Sequence, residues 1–420
     1  MEVVFTIFYL SGIIKSFLIF YNIPFPIDFT FLASFLLLLA LIIEFKNKKI
    51  SVSFNKNILL SFVFLILFYL WMLLSLIWTP SESYSYKKVI LFIPNIIGFG
   101  FPLLCKRFDI AKFFRIVSIT LIFVSIWFLK IYLDYLDDGY SKKAYYEPIL
   151  GLYLSCASFM GLNILVILGA KKRIFKNLFV SSFVVTLTII LLFLLGARGP
   201  FIFVLLLLIP LFIIKYIYSY YFSKVLLSDF KKALYSGLTV LLFFVFFLIF
   251  EKEVKVLLDR SVFRISLLMP SSDSETSSVP TTSNTTKSSS VNTSVDTRID
   301  QLKFSIDLIK NNKFESIYGF GVGSFGILYL QKDFRAYPHN IFLEIWVELG
   351  LIGLILFLIF LFFVFSKNLN GTNYINLLVL VYIILNVLKS SSYVDIRVFF
   401  AVFAMYMLSS NDKSLNEITT

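Results

Sequence analysis

The chain's single histidine follows a proline, in Tyr337-Pro338-His339-Asn340. Proline favours the first position of a helix, so His339 is expected in the first turn of the helix that follows. There the unpaired N–H groups and the helix dipole disfavour imidazolium, and a neutral imidazole can act as a general base. The plainer alternative is an interfacial polar residue. Arg198 sits in Gly196-Ala197-Arg198-Gly199-Pro200, a turn with hardly any loop between two apolar runs. Its guanidinium offers a planar, permanently charged fork for a phosphate, or it snorkels to headgroups; both readings stand on sequence. Arg260 and Arg264, four apart, share one helix face, and Arg298 opens another amphipathic stretch. Residues 251–337 hold 11 Lys or Arg against 10 Asp or Glu, so diffuse attraction is weak and any anion binding must come from particular arginines. At an effective dielectric of about 20, a guanidinium roughly 4 Å from a phosphate charge contributes on the order of 4 kcal/mol before desolvation. Two or three converging on a pyrophosphate would favour its departure as a leaving group. A solvated face or headgroup contact is the competing role for Arg260 and Arg264.

Gly319, Gly321, Gly323 and Gly326 resemble a phosphate cradle, but no strand precedes them, so a tight, ligand-hugging loop is expected instead of a dinucleotide fold. Asn340, Glu344 and Glu348 form one stripe of a helix inside an apolar run, where a carboxylate facing lipid is costly; they are expected to face inward. Asp134, Asp137 and Asp138, followed by Gly139, read as a hydrated turn sooner than a divalent-metal site, and no metal or cofactor is expected. Cys105 and Cys156 lie far apart beside apolar runs and suggest neither a disulfide nor a thiolate metal site.

These residues need a frame, and composition specifies its solvent. Of 420 residues 59% are hydrophobic and 15% charged, too few polar side chains to coat water-soluble domains. The apolar runs are continuous, not alternating, so an all-α polytopic membrane protein of about 12 transmembrane helices is expected, not an outer-membrane barrel. Spans are read near residues 3–20, 28–44, 58–77, 89–104, 111–133, 148–169, 177–195, 199–221, 233–250, 338–365, 374–388 and 396–409. Met1-Glu2 runs straight into the first without a basic n-region, so that helix is expected to stay. Seventeen Lys or Arg fall in one alternating set of short connections and the tail, including Lys46, Lys112, Arg115 and Lys176; the other set holds 7, among them Lys389 and Arg397. This bias predicts cytoplasmic termini and reports orientation, so the net charge of +13 implies no nucleic-acid partner. Spans 1 to 9 thus occupy residues 1–250, a long outer loop residues 251–337, and spans 10 to 12 with the tail residues 338–420. Within the loop, residues 271–297 hold 17 Ser or Thr and are expected to be disordered. Helical spacing of Val254, Leu258, Val262 and Ile265, and of Ile299, Leu302, Ile306 and Ile309, predicts two amphipathic helices on the outer membrane surface, the second capped by Asp296 or Thr297.

Tyr318-Gly-Phe-Gly-Val-Gly-Ser-Phe-Gly326, Pro338-His339-Asn340, Leu343-Glu344 and Glu348-Leu-Gly-Leu-Ile-Gly353 together resemble the signature region of the O-antigen ligase and polymerase superfamily. Gly196-Ala197-Arg198-Gly199 is similar to that family's arginine turn, Arg298 begins the stretch leading to its Gly-rich loop, and Thr79-Pro80-Ser81 with Lys87-Lys88 resembles its early outward loop. The Ser/Thr-rich insert departs from the pattern and loosens the alignment of Arg260 and Arg264.

The resemblance implies an inverting, metal-independent glycosyltransferase of the membrane-embedded C type, acting at the outer face of a bacterial cytoplasmic membrane. The donor would be an undecaprenyl-pyrophosphate-linked glycan and the acceptor a glycan or lipid A core. Arg198 and Arg298 would bind the pyrophosphate and His339 would orient or deprotonate the acceptor hydroxyl. Arg260, Arg264, Lys87, Lys88, Asn340, Glu344, Gly321 and Gly323 are expected around the substrates. A polysaccharide polymerase shares these motifs and is the alternative. A transporter or flippase would call for charges scattered through the spans and pseudo-symmetric halves, and a purely structural subunit for polar residues that serve folding alone.

Overall fold

In lipid every backbone N–H and C=O must be satisfied within its own segment, and the apolar runs accordingly fold as helices. The computed structural model describes residues 1–24, 28–47, 56–105, 108–137, 143–169, 174–212, 252, 255, 289–369, 374–390 and 392–409, and among them no strand occurs. The helices are α1 (Glu2–Tyr9), α2 (Ser11–Phe20), α3 (Phe29–Lys46), α4 (Lys56–Leu74), α5 (Tyr84–Leu104), α6 (Ile110–Asp137), α7 (Lys143–Leu150), α8 (Leu152–Gly169), α9 (Leu178–Leu194) and α10 (Arg198–Phe212). After these come α11 (Ser289–Asn311), α12 (Glu315–Tyr318), α13 (Phe325–Leu330), α14 (Ile341–Leu369), α15 (Tyr374–Ser390) and α16 (Arg397–Ser409).

Six helices among the described residues are long and apolar enough to cross a membrane, or seven if α1 and α2, bent by 61°, count as one span. α9, α10, α15 and α16 are apolar but shorter, and the expected span at 233–250 lies outside the described residues. The chain is a multi-pass membrane protein, and among the described residues the figure of twelve is not reached on length and composition. Side chains such as Phe35, Ile42, Ile43 and Phe45 on α3 point outward, as acyl chains require, while Phe68, Phe92, Phe99, Phe360 and Phe400 stack through the core joining α4, α5, α14 and α16.

The elements that precede α14, α11 to α13, dock on it. α11 begins at Ser289, ahead of the expected cap at Asp296 or Thr297, and so takes in the end of the Ser/Thr-rich insert; residues 271–288 lie outside the described residues, as do Val254, Leu258, Val262 and Ile265. Its buried side follows the apolar stripe read from sequence only in part: Gln301 and Ser305 are buried, and Phe304 and Leu308, together with Ile309 of that stripe, pack against Phe325, Ala336 and Val347 in a small cluster. Ile299 and Leu302 stay exposed, an apolar edge suited to the bilayer boundary.

α14 is broken at Gly350, whose φ of 68° and ψ of −173° belong to a region essentially closed to other residues. The carbonyls just before the break accept bonds from outside the helix. Phe320 N donates to Val347 O (2.9 Å), Gly321 N to Glu348 O (2.9 Å) and the Trp71 indole to Leu349 O (2.8 Å). The Gly-rich loop is therefore stapled to the broken span, and the contact is too close for side chains: a Cβ on Gly319 would lie 2.2 Å from Glu348 O, and one on Gly350 2.3 Å from Ile317 O. Asp333 ties the same loop to α5, accepting from Ser83 N (2.7 Å) and from the hydroxyls of Ser81 (2.6 Å) and Ser83 (2.9 Å) in the manner of a helix cap.

Beneath this rim lies a fully buried ion cluster. Lys88 Nζ donates to Glu344 Oε1 (2.5 Å) and to both oxygens of Glu348 (2.8 Å each). The carboxylates' other lone pairs are also used: Ser392 Oγ donates to Glu344 Oε1 (2.6 Å), Tyr393 N to Glu344 Oε2 (3.1 Å) and the Tyr393 hydroxyl to Glu348 Oε2 (2.7 Å). The expected inward turn of Glu344 and Glu348 is observed. Lys88 and Glu344 are not substrate contacts in this arrangement: both are completely enclosed by protein, each satisfied by the other.

Two outcomes follow for stability. Lys88→Met strands two buried carboxylates and is expected to cost about 3–5 kcal/mol, read as a large drop in thermal midpoint in detergent, whereas the exposed Lys87→Met should change little. Gly350→Ala forces an L side chain into the glycine-only region and is expected to cost on the order of 1–3 kcal/mol, checked in the same assay.

Candidate active site

His339 does not stand in the first turn of α14. It precedes the helix with a left-handed backbone, φ 54°, because Asn340 takes the capping position: its Oδ1 accepts from Phe342 N (3.0 Å) and Leu343 N (3.2 Å). Asn340 is thus a helix cap through its Oδ1. A non-glycine residue at positive φ is uncommon and persists only where its surroundings hold it. Here the imidazole rests on the Tyr337 ring, centroids 4.7 Å apart, and its Nδ1 is buried without a hydrogen-bond partner. Partial burial and, next, the charge of nearby Arg298 push its pKa below the usual histidine value. The ring is therefore uncharged at neutral pH, by this route and not by a helix dipole. Arg298 itself is exposed on α11, near enough to the histidine for its charge to act on the ring.

From His339 a string of contacts leads inward to a cavity. Arg335 lies over the Tyr337 ring, 5.7 Å from its centroid, and pairs with Asp395. Asp395 lines a hollow of about 430 Å³ that also borders Glu147, Pro200, Lys389 and Arg397. Arg198 is the first residue of α10; its neighbour Pro200 lines the hollow, and Gly199 packs against the Lys389 side chain. The start of α10 and the link between α15 and α16 thus border one cavity, and the Tyr337 and Arg335 contacts connect the histidine to its Asp395.

The glycines at 321 and 323 approach the chain, not a ligand. A Cβ on Gly321 would lie 2.5 Å from the Thr79 Cα, and one on Gly323 3.0 Å from the Ser85 Cα. The loop is held there as Thr79 Oγ1 donates to Val322 O (2.7 Å). Their expected substrate role is thereby corrected: they let the loop close against residues 79–85. Arg260 and Arg264 lie outside the described residues, and so does Asp138 of the acidic turn. Sequence reasoning passed over Arg335, Asp395 and Arg397 as site residues. Lys389 and Arg397 registered only as orientation charges, although Ser392-Tyr393-Val394-Asp395-Ile396-Arg397 is a conspicuously polar link between two apolar helices.

The arrangement combines an uncharged imidazole, guanidinium groups and a cavity at one end of the helix assembly, a set suited to proton abstraction beside an anionic leaving group. No curated protein matches the chain. A family model described as O-antigen ligase matches residues 182–358, from α9 through the histidine and into α14. The matched segment, which contains Arg198, Arg298 and His339, is similar to O-antigen ligases and supports a place in that superfamily.

Proposed function

We propose that the chain transfers a glycan from undecaprenyl pyrophosphate to an acceptor hydroxyl, in the manner of an O-antigen ligase, at the outer face of the cytoplasmic membrane and with both termini inside. The family supports a glycosyltransferase-like activity in polysaccharide biosynthesis on lipid-linked substrates. The observation that carries the finer reading is His339, kept uncharged by partial burial and the influence of Arg298 and connected through Tyr337 and Arg335 to Asp395 on a cavity of about 430 Å³.

In this mechanism the acceptor hydroxyl attacks the anomeric carbon of the donor sugar from the face opposite the pyrophosphate, inverting that centre. The His339 imidazole takes the hydroxyl proton as the new C–O bond forms. The bond to the pyrophosphate oxygen breaks, and its electron pair leaves with the diphosphate, whose growing charge is stabilised by Arg298 and Arg198. Guanidinium charge does the work assigned to a divalent ion in many glycosyltransferases, so transfer is expected to persist in chelator.

The test uses the purified full-length protein, a defined lipid-linked donor and an acceptor glycan. His339→Asn is the informative variant, because Asn tolerates the left-handed backbone while lacking a base. It is expected to keep its thermal midpoint and lose transfer by about 10²–10⁴-fold; unchanged turnover would end the catalytic assignment. Since the imidazole must be unprotonated, the rate should fall as pH drops through a midpoint below 6.5. Arg298→Gln removes a charge that lowers this midpoint, so the acidic limb should move upward in pH in addition to any loss of donor affinity.

A further inference from the structure

Arg397 opens α16 and reaches into the 430 Å³ cavity. Room for it is made by Gly12, where a Cβ would stand 2.8 Å from its Nη2. Its Nε is buried and has no hydrogen-bond partner, and among the described residues the guanidinium makes no ion pair. The carboxylates that influence it most are Asp395 and Asp28. Both are engaged elsewhere, Asp395 by Arg335 and Asp28 by Lys15. Arg397 is partly buried, and a buried guanidinium donor left without a partner is unfavourable until an acceptor completes it; among the described residues no carboxylate is paired with it. The folded chain does supply space, and a second cation, Lys389, on the same wall.

We propose that Arg397, with Lys389, forms the inner anion site of this cavity and binds a phosphate group carried by a lipid. The identity of that lipid as undecaprenyl pyrophosphate rests on the proposed function. In that complex Arg397 grips the diphosphate from the side of α2 and α16, in the cavity that Pro200 of the arginine turn also lines. A cavity phosphate could also belong to a resident phospholipid, the same chemistry from another source.

The experiment measures binding of undecaprenyl pyrophosphate, and separately of phosphatidylglycerol, to the full-length protein in phosphatidylcholine nanodiscs, alongside glycan transfer. Arg397→Gln is expected to weaken undecaprenyl pyrophosphate binding about tenfold or more, as loss of charge-assisted hydrogen bonds should. It should leave the ligand-free thermal midpoint equal or higher, because an uncompensated, partly buried charge has been removed; a purely structural arginine would lower it. Gly12→Ala, which keeps the charge but crowds Nη2, should weaken the same binding severalfold and serves if the first variant does not accumulate. Wild-type affinity in both variants would overturn the site. Phosphatidylglycerol binding as strong as that of undecaprenyl pyrophosphate and equally dependent on Arg397 would overturn the donor as its occupant. Arg397-dependent binding of undecaprenyl pyrophosphate without glycan transfer by the wild type would uphold the site and reject the transferase reading.

Discussion

An ammonium group lodged between two carboxylates inside a membrane protein is tolerable only when every charge and lone pair has a partner. Lys88, Glu344 and Glu348 meet that condition with help from Ser392 and Tyr393. The pairing forces α5, α14 and the link between α15 and α16 to converge, since none of the three can withdraw without leaving a buried ion exposed to apolar surroundings. Two of the converging elements bear site residues. α14 begins just after His339, and the link from Ser392 onward carries Asp395 and ends at Arg397. The ion cluster thus positions the elements that carry the proposed site residues.

Above it the broken span performs a second fixing step. Helices in lipid rarely release carbonyls, because nothing there can accept the debt. α14 does so at Gly350, and the Gly-rich loop and Trp71 take up the freed groups. The loop that precedes the histidine is thereby held by backbone bonds to a membrane helix, with Asp333 anchoring its far end to α5. His339 can then keep a left-handed backbone that a mobile loop would relax.

Much of this was legible in the chain, for identifiable reasons. A carboxylate inside an apolar run is costly, so the inward turn of Glu344 and Glu348 follows from their spacing alone. Their partner was not legible: Lys88 lies 256 residues from Glu344, and beside Lys87 it looks like one of two surface cations. The proline signal placed His339 inside the helix by one turn, since sequence cannot weigh Pro338 at the first position against Asn340 as a cap. The glycines were read correctly as points of close approach, but whether backbone or ligand approaches depends on where residues 79–85 fold. Apolar runs located the helices well, whereas their number as complete spans depends on bends and lengths that hydropathy does not resolve. Arg397 became visible only once Gly12, Asp28 and Asp395 were placed around it.

The 256-residue gap within the ion cluster also has a consequence for biosynthesis. Chains elongate at about 5–20 residues per second, so α5 enters the bilayer many seconds before either glutamate has been made. During that interval Lys88 has no counter-charge and must be accommodated by water. Its location one turn into α5, four residues past Tyr84, allows this, because a flexible ammonium arm near a helix end can reach the aqueous boundary. The same lysine placed at mid-span would be costlier to insert with its own helix, so its position near the helix start suits a partner made so much later.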